Sequence, residues 1–249
     1  MLKSATLNKY VESFFGYGRW SAPVWFIGIE EAGGKAKQEI EQRLAVWASR
    51  GHQELEDAPT FYPASGNQAW HGERAVTQAT WKQLIRLLLL ARGRSDDDDA
   101  VLDYQRTQLG SSTGETCLAE LLPLPSPSTA TWNYDLWSDL PRLGSRRSYH
   151  AGMLGPRSDA LKLRCARYRP SVVILYGLEM ADGTKLLPLW SHIAGGRFDQ
   201  AIERKKILLW RRNENTSFFV TRHPVSESQD YFREIGEFLN EHHSTRFRS

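Results

Sequence analysis

At 249 residues the chain fits one ordinary α/β domain and is long enough to bury a proper core. With 41% hydrophobic and 24% charged residues it has a folded, globular composition rather than a disordered one, and a net charge of +3 permits a polyanionic partner without demanding one. Cys117 and Cys165 cannot supply a disulfide framework or a four-cysteine metal site and read as buried thiols in a reducing cytoplasm, while no signal-type stretch opens the chain and no apolar run approaches the ~20 residues of a membrane span.

In chain order, LNKYVESFFGYGRW has helical spacing and ends in glycines, which predicts a short helix and a turn. APVWFIGI is a short β-rich apolar run of the kind that forms a buried parallel strand. KAKQEIEQRLAVWASRG carries Ile40, Leu44 and Trp47 at helical intervals and closes on Gly51. QELEDAPTFYPASGNQAWHGERA has no period and many turn formers, so a long loop is expected. TQATWKQLIRLLLLARGR predicts a strong helix capped by Thr77 or Thr80, and the four aspartates at 96–99 read as a solvated loop. ETCLAELLPLPSPS predicts a second buried strand ending in a proline-rich loop. SDALKLRCARYRP predicts a helix, PSVVILYGLEM the cleanest strand of the chain, and KKILLW and TSFFVTRHP two more strands. The last helix, SESQDYFREIGEFLNEHH, is expected to start on a serine cap three residues before Gln229.

This alternation predicts a single domain over residues 1–249 with three α/β/α layers and a central, mostly parallel sheet. Ligands of such folds bind outside the carboxyl ends of the strands. Four predicted strand ends carry polar residues: 28–34, 120–128, 177–179 and 222–226.

The first of them, GIEEAGGK, looks almost like a phosphate loop. A P-loop needs G-x-x-x-x-G-K followed by a hydroxyl residue. Here Gly34 stands where the lysine belongs, Ala36 follows Lys35, and Glu30 and Glu31 would set negative charge beside phosphate. That chemistry is excluded.

Taken together, the four strand ends resemble the uracil-DNA glycosylase superfamily, whose first strand ends in a motif of the type G-Q-D-P-Y, G-I-N-P-G or G-E-A-P-G. Here it reads GIEEAGG. AELLPLPS has the shape of the family's asparagine motif that runs into a proline, with Glu120 in the asparagine place. VVILYG matches its hydrophobic strand ending in glycine, and RHPVSES its histidine–proline loop before a helix. The resemblance implies an enzyme that flips a nucleotide out of DNA and hydrolyses its N-glycosidic bond with no metal and no cofactor, leaving an abasic site. It implies a carboxylate near the sugar and a donor near the departing base. Glu30 falls on the aspartate of G-Q-D-P-Y; Glu31 replaces a proline and is the alternative carboxylate if the loop shifts by one residue. His223 would hydrogen-bond the leaving base.

Two departures bear on the base. An ionised Glu120 only accepts hydrogen bonds, which suits the N4 amine of cytosine, whereas a protonated one can donate. Ala32 aligns with a bulky tyrosine that blocks C5 substituents, so the C5 side is expected to be open. Together these favour a 5-substituted cytosine, such as the glucosylated hydroxymethylcytosine of some phage DNA, and a role in antiphage defence. Phe61 and Tyr62, with Trp70 behind, are the expected stacking residues. Ser126, Ser128, Ser226, Ser228, Arg146, Arg147, Arg211, Arg212 and Arg222 are the expected DNA-backbone contacts. Val225 is the apolar residue of the histidine–proline loop available as a wedge. The protein is expected to act on DNA in the cytoplasm, as a monomer and without a membrane. The alternatives are an ordinary uracil or deaminated-base repair glycosylase and a catalytically silent module that binds modified bases.

Overall fold

The computed structural model describes residues 1–128, 130–200 and 208–247. Helix α1 (Ser4–Ser13) leads into the short strand β1 (Gly16–Tyr17) and then β2 (Val24–Ala32). Next come α2 (Lys37–Ser49), β3 (Leu55–Glu56), α3 (Ala58–Ala64), α4 (Ala79–Ala91) and α5 (Asp98–Thr107). Strand β4 (Thr116–Ser126) is followed by α6 (Tyr134–Trp137) and the long α7 (Arg146–Tyr168). The chain continues through β5 (Val172–Tyr176), α8 (Leu187–Ala194), β6 (Asp199–Gln200), β7 (Leu209–Arg212), β8 (Ser217–Thr221) and α9 (Gln229–Phe247).

Among the described residues one eight-stranded sheet runs β3-β1-β4-β2-β5-β8-β7-β6. The four central strands β4, β2, β5 and β8 are parallel, and β1 and β7 join them antiparallel on either side. The central strands are apolar and buried along nearly their whole length, because helices cover both faces in a three-layer α/β/α arrangement. Trp25, Trp47 and Trp190 are among the largest side chains wholly inside. After β2 the chain crosses to β4 on one side; after β5 it crosses to β8 on the other. The strand order therefore reverses between β2 and β5, and that reversal opens a crevice at their carboxyl ends.

Several local expectations are corrected. The predicted loop after α2 contains β3 and α3, whose first turn is set by Pro59. Helix α4 is capped not by a threonine but by Gln78, whose side chain accepts from Trp81 N at 2.7 Å. The aspartate run is no solvated loop. Asp97 caps α5 by accepting from Ala100 N at 2.8 Å, and Asp96 pairs with Arg233 of α9 at 2.7 Å. Helix α7 starts at Arg146, well ahead of the predicted Ser158, because Ser145 caps it and tertiary packing carries it past Gly152, Gly155 and Pro156. The serine that caps α9 is Ser228, which accepts from Tyr231 N, and not Ser226. Of the predicted strand KKILLW, residues 205–207 lie outside the described residues; the remainder leads into β7. Cys117 and Cys165 are free and buried. Among the described residues no helix is long and apolar enough to cross a membrane.

Candidate functional site

At the strand-order reversal lies a cleft of about 150 Å³. Its floor is built by a close approach of three strands. Gly28 of β2 sits opposite Glu120 of β4, and a Cβ on Gly28 would lie 2.1 Å from Tyr176 Oη and 2.6 Å from Glu120 Oε2. Only glycine leaves room for those two side chains to meet across β2. Tyr176 Oη donates to Glu120 Oε1 at 3.4 Å, while Glu120 Oε2 has no hydrogen-bond partner among the described residues. Burial, reinforced by the negative charge of Glu31, pushes the Glu120 carboxyl well above the usual carboxylate range, which favours its protonated form. A neutral carboxyl donates through one oxygen and accepts through the other.

Beyond Gly28 the strand carries its two glutamates to opposite sides, as alternation requires. The β2–β4 register slips between Glu30 and Ala32, a bulge of the kind that re-aims side chains at a sheet rim. Glu31 is fully engaged. Oε1 accepts from Arg43 Nη2 at 2.6 Å and Tyr62 Oη at 2.7 Å; Oε2 accepts from Arg43 Nη1 at 2.7 Å and Tyr17 Oη at 2.8 Å. The glycines that follow turn the chain away: Gly33 and Gly34 have φ of +145° and +65°, and a Cβ on Gly34 would meet Pro125 O at 2.5 Å.

Glu30 is held differently. Both its oxygens accept from one nitrogen, Arg146 Nη1, at 2.9 Å each, which leaves each oxygen with acceptor capacity. Arg146 Nη2 donates in turn to Ser126 Oγ at 2.6 Å, Ser128 O at 2.9 Å and Thr131 O at 2.6 Å, and the guanidinium lies 5.2 Å from the Trp132 ring centroid. Burial raises the Glu30 carboxyl above its usual range and Arg146 opposes that rise. Of the two candidate carboxylates, Glu30 is the one with unfilled lone pairs at the cleft.

His223 closes the opposite wall. Its Nδ1 accepts from Val225 N at 3.3 Å, so in the neutral ring the proton sits on Nε2. Burial lowers its pKa, and the ring packs edge-on against Tyr176 at 5.8 Å. The cleft therefore brings an imidazole N–H donor, the buried carboxyl of Glu120 and the arginine-held carboxyl of Glu30 into one small volume.

The aromatic wall differs from expectation. Phe61 does not line the cleft; it is 0% exposed, stacked near Phe14 and beneath Arg43 and Arg50, because α3 turns it into the core. Tyr62 does line it, edge-on to Trp81 at 5.4 Å, with its hydroxyl committed to Glu31. Trp81, Gln78, Thr80 and Tyr176 also line the cleft, none of them among the expected site residues. A tryptophan just inside the N-cap of the strongest predicted helix was the available signal for Trp81. Ala32 is exposed at the cleft edge, and Val225 stands 62% exposed at its lip.

The expected backbone contacts are mostly otherwise engaged. Ser126 is 3% exposed and donates to Ser128 O and Thr131 O, so with Arg146 it organises the loop after β4. Ser128 is exposed and shares a hydrogen bond with Thr131. Ser226 donates to His223 O, and Arg222 pairs with Glu227 at 3.0 Å. Arg147 is exposed and forms no ion pair among the described residues. Arg211 caps the end of α8 through Ala194 O and Gly195 O, and Arg212 pairs in register with Ser217 at the start of β8. Both lie at the wrong end of the sheet for this cleft. Comparison with protein-family models, curated proteins and solved structures finds no match to the chain.

Proposed function

We propose that the protein is a monofunctional DNA glycosylase, a divergent member of the uracil-DNA glycosylase superfamily, that excises a 5-substituted cytosine from DNA in the cytoplasm. The observation that carries this reading is the convergence of Glu30 near the end of β2, Glu120 within β4 and His223 just after β8 on one cleft at the strand-order reversal. The flipped base enters against Glu120. A neutral carboxyl donates to cytosine N3 and accepts from the N4 amine, matching both groups on that edge. As the C1′–N1 bond breaks, Glu30 faces the cationic sugar and directs a water to C1′; the water's oxygen bonds to C1′ and its proton leaves through the carboxylate to solvent. His223 Nε2–H donates to the base as it departs with negative charge. Ordinary cytosine is too abundant to be a tolerable substrate, so the 5-substituent licenses cleavage. Glucosylated hydroxymethylcytosine in phage DNA is the substrate favoured, and antiphage defence the role.

A second reading, uracil excision, is favoured by the same neutral Glu120, because the carboxyl can equally donate to uracil O4 and accept from N3–H. Duplex and single-stranded DNAs bearing uracil, 5-methylcytosine, hydroxymethylcytosine and its glucosylated form separate the readings when abasic sites are revealed by alkali, with and without a chelator. Chelator-resistant cleavage at modified cytosine is expected. Cleavage at uracil alone selects the second reading, and tight binding without cleavage selects the catalytically silent module.

A further inference from the structure

A second, larger cleft of about 450 Å³ adjoins the first and shares Glu31, Ala32 and Trp70 with it. Ala32 is the shared residue at the base cleft's edge, so a group projecting past its methyl leaves the first cavity and enters the second. Most polar groups there are already committed. Glu39 accepts from Gly34 N and Lys35 N at 2.8 and 3.0 Å, and Arg43 is held by Glu31, Tyr10 and Tyr17. Three are not. Among the described residues the Gln42 amide has no hydrogen-bond partner and Lys35 no side-chain partner; Asn67 uses Oδ1 to accept from Ala69 N at 3.2 Å, leaving its amide N–H groups free. The half-buried indole of Trp70 supplies an apolar face.

We propose that this side cleft is a subsite for the substituent on C5 of the flipped base, and that it takes an uncharged, hydroxylated group the size of a sugar ring. The proposal rests on the glycosylase reading for the orientation of the base. A methyl group fills little more than one water's share of about 30 Å³ and would leave nearly all of the cavity to solvent. Arg43 neutralises Glu31 and the Glu39 carboxylate offsets Lys35, so the lining carries no net positive charge to favour an anionic substituent. A hydroxylated ring instead lays its C–H face on Trp70 and exchanges hydrogen bonds with Gln42, Asn67 and Lys35, the usual division of an apolar wall and a few polar anchors.

The test is a binding measurement that does not depend on catalysis. Oligonucleotides carry one cytosine with a 5-methyl, 5-hydroxymethyl or glucosylated hydroxymethyl group, each on a 2′-fluoro sugar that resists glycosidic cleavage. They are titrated by fluorescence anisotropy against wild type, Gln42→Ala, Asn67→Ala and Trp70→Leu. Gln42 is exposed, so its variant keeps the fold whatever becomes of Trp70. The glucosylated DNA should bind about tenfold or more tightly than the methylated one; Gln42→Ala and Asn67→Ala should each lose several-fold of that advantage with methylated DNA unaffected, while Trp70→Leu, which also lines the base cleft, should weaken glucosylated DNA several-fold more than methylated DNA. Equal affinity for all three DNAs in wild type overturns the proposal. So does an advantage that survives every variant, or a loss that is equal across all three DNAs, which would make the cleft a contact for the DNA backbone. Failure of the same DNAs built with ordinary 2′-deoxy sugars to release any base would instead count against the glycosylase reading alone.

Discussion

Replacing Glu31 and Glu30 in turn by glutamine separates a carboxylate that holds the loop from one that is free to react. In Glu31→Gln one carboxylate oxygen becomes an NH₂ group that faces an Arg43 N–H whichever way the amide is turned, since each oxygen accepts from a different Arg43 nitrogen. The Arg43 charge is left uncompensated, with its side chain 7% exposed. Breaking one partner of such a buried pair costs about 3–5 kcal/mol. In a chain of this length each kcal/mol lowers Tm by about 2–4 °C, so a fall on the order of 6–20 °C is expected. Glu30→Gln is milder for the fold, because Arg146 keeps Ser126 Oγ, Ser128 O and Thr131 O as acceptors. It should cost less than half as much Tm, yet slow base excision by roughly 10²-fold or more through loss of charge at the sugar. Thermal melts and single-turnover cleavage well below either Tm read both effects. If Glu31→Gln abolishes cleavage while remaining folded and Glu30→Gln cleaves normally, the roles assigned to the two carboxylates are wrong.

Three further outcomes are expected. Arg146→Met removes the cation that opposes the burial-driven rise of the Glu30 carboxyl, so the acid limb of the cleavage pH profile should move to higher pH; an unmoved limb would show that Arg146 does not tune Glu30. Between the unfolded and the raised folded pKa of Glu120 the native state holds a proton that the unfolded state has released, so wild-type stability falls as pH rises through that window. The Tm difference between Glu120→Gln and wild type should therefore shift in the variant's favour from about pH 4–5 towards neutrality, and a pH-independent difference would mean that Glu120 is ionised in the fold. Gly28→Ala places a methyl on the Tyr176 hydroxyl and should cost about 1–3 kcal/mol, measured by urea unfolding. In a Tyr176→Leu background the penalty should shrink; strict additivity would place the clash elsewhere.

The central strands were legible because parallel strands buried on both faces must be continuous apolar runs, and VWFIGI, VVILY and SFFVT are that. Strands β1 and β3 were not, since two residues carry no period and exist only through pairing with β4 and with each other. The aspartate run concealed α5 because a cap, an ion-pairing residue and a solvated loop all draw on the same side chain. In α7 the glycines and Pro156 hid a helix that its packing against α8 and β4 maintains. At the candidate site, Glu30 and His223 were legible as polar residues close to predicted strand ends, and the structure brings them to one cleft with Ala32 and with Glu120, which stands within β4 rather than at its end. Their settings were not. Which glutamate Arg43 saturates, and that Arg146 reaches back to Glu30 instead of outward, depends on pairings between distant helices that no spacing reveals. Tyr176 and Trp81 were passed over because each reads as core until the backbone brings a cleft beside it.

The most direct test of the central claim is mass spectrometry of what leaves the DNA. Wild-type protein incubated with DNA containing glucosylated hydroxymethylcytosine should release that base intact into the low-molecular-weight fraction, with strands that stay full-length until alkali is added. Release of a nucleotide or nucleoside, strand scission without alkali, or no release from any modified DNA at enzyme excess would contradict it.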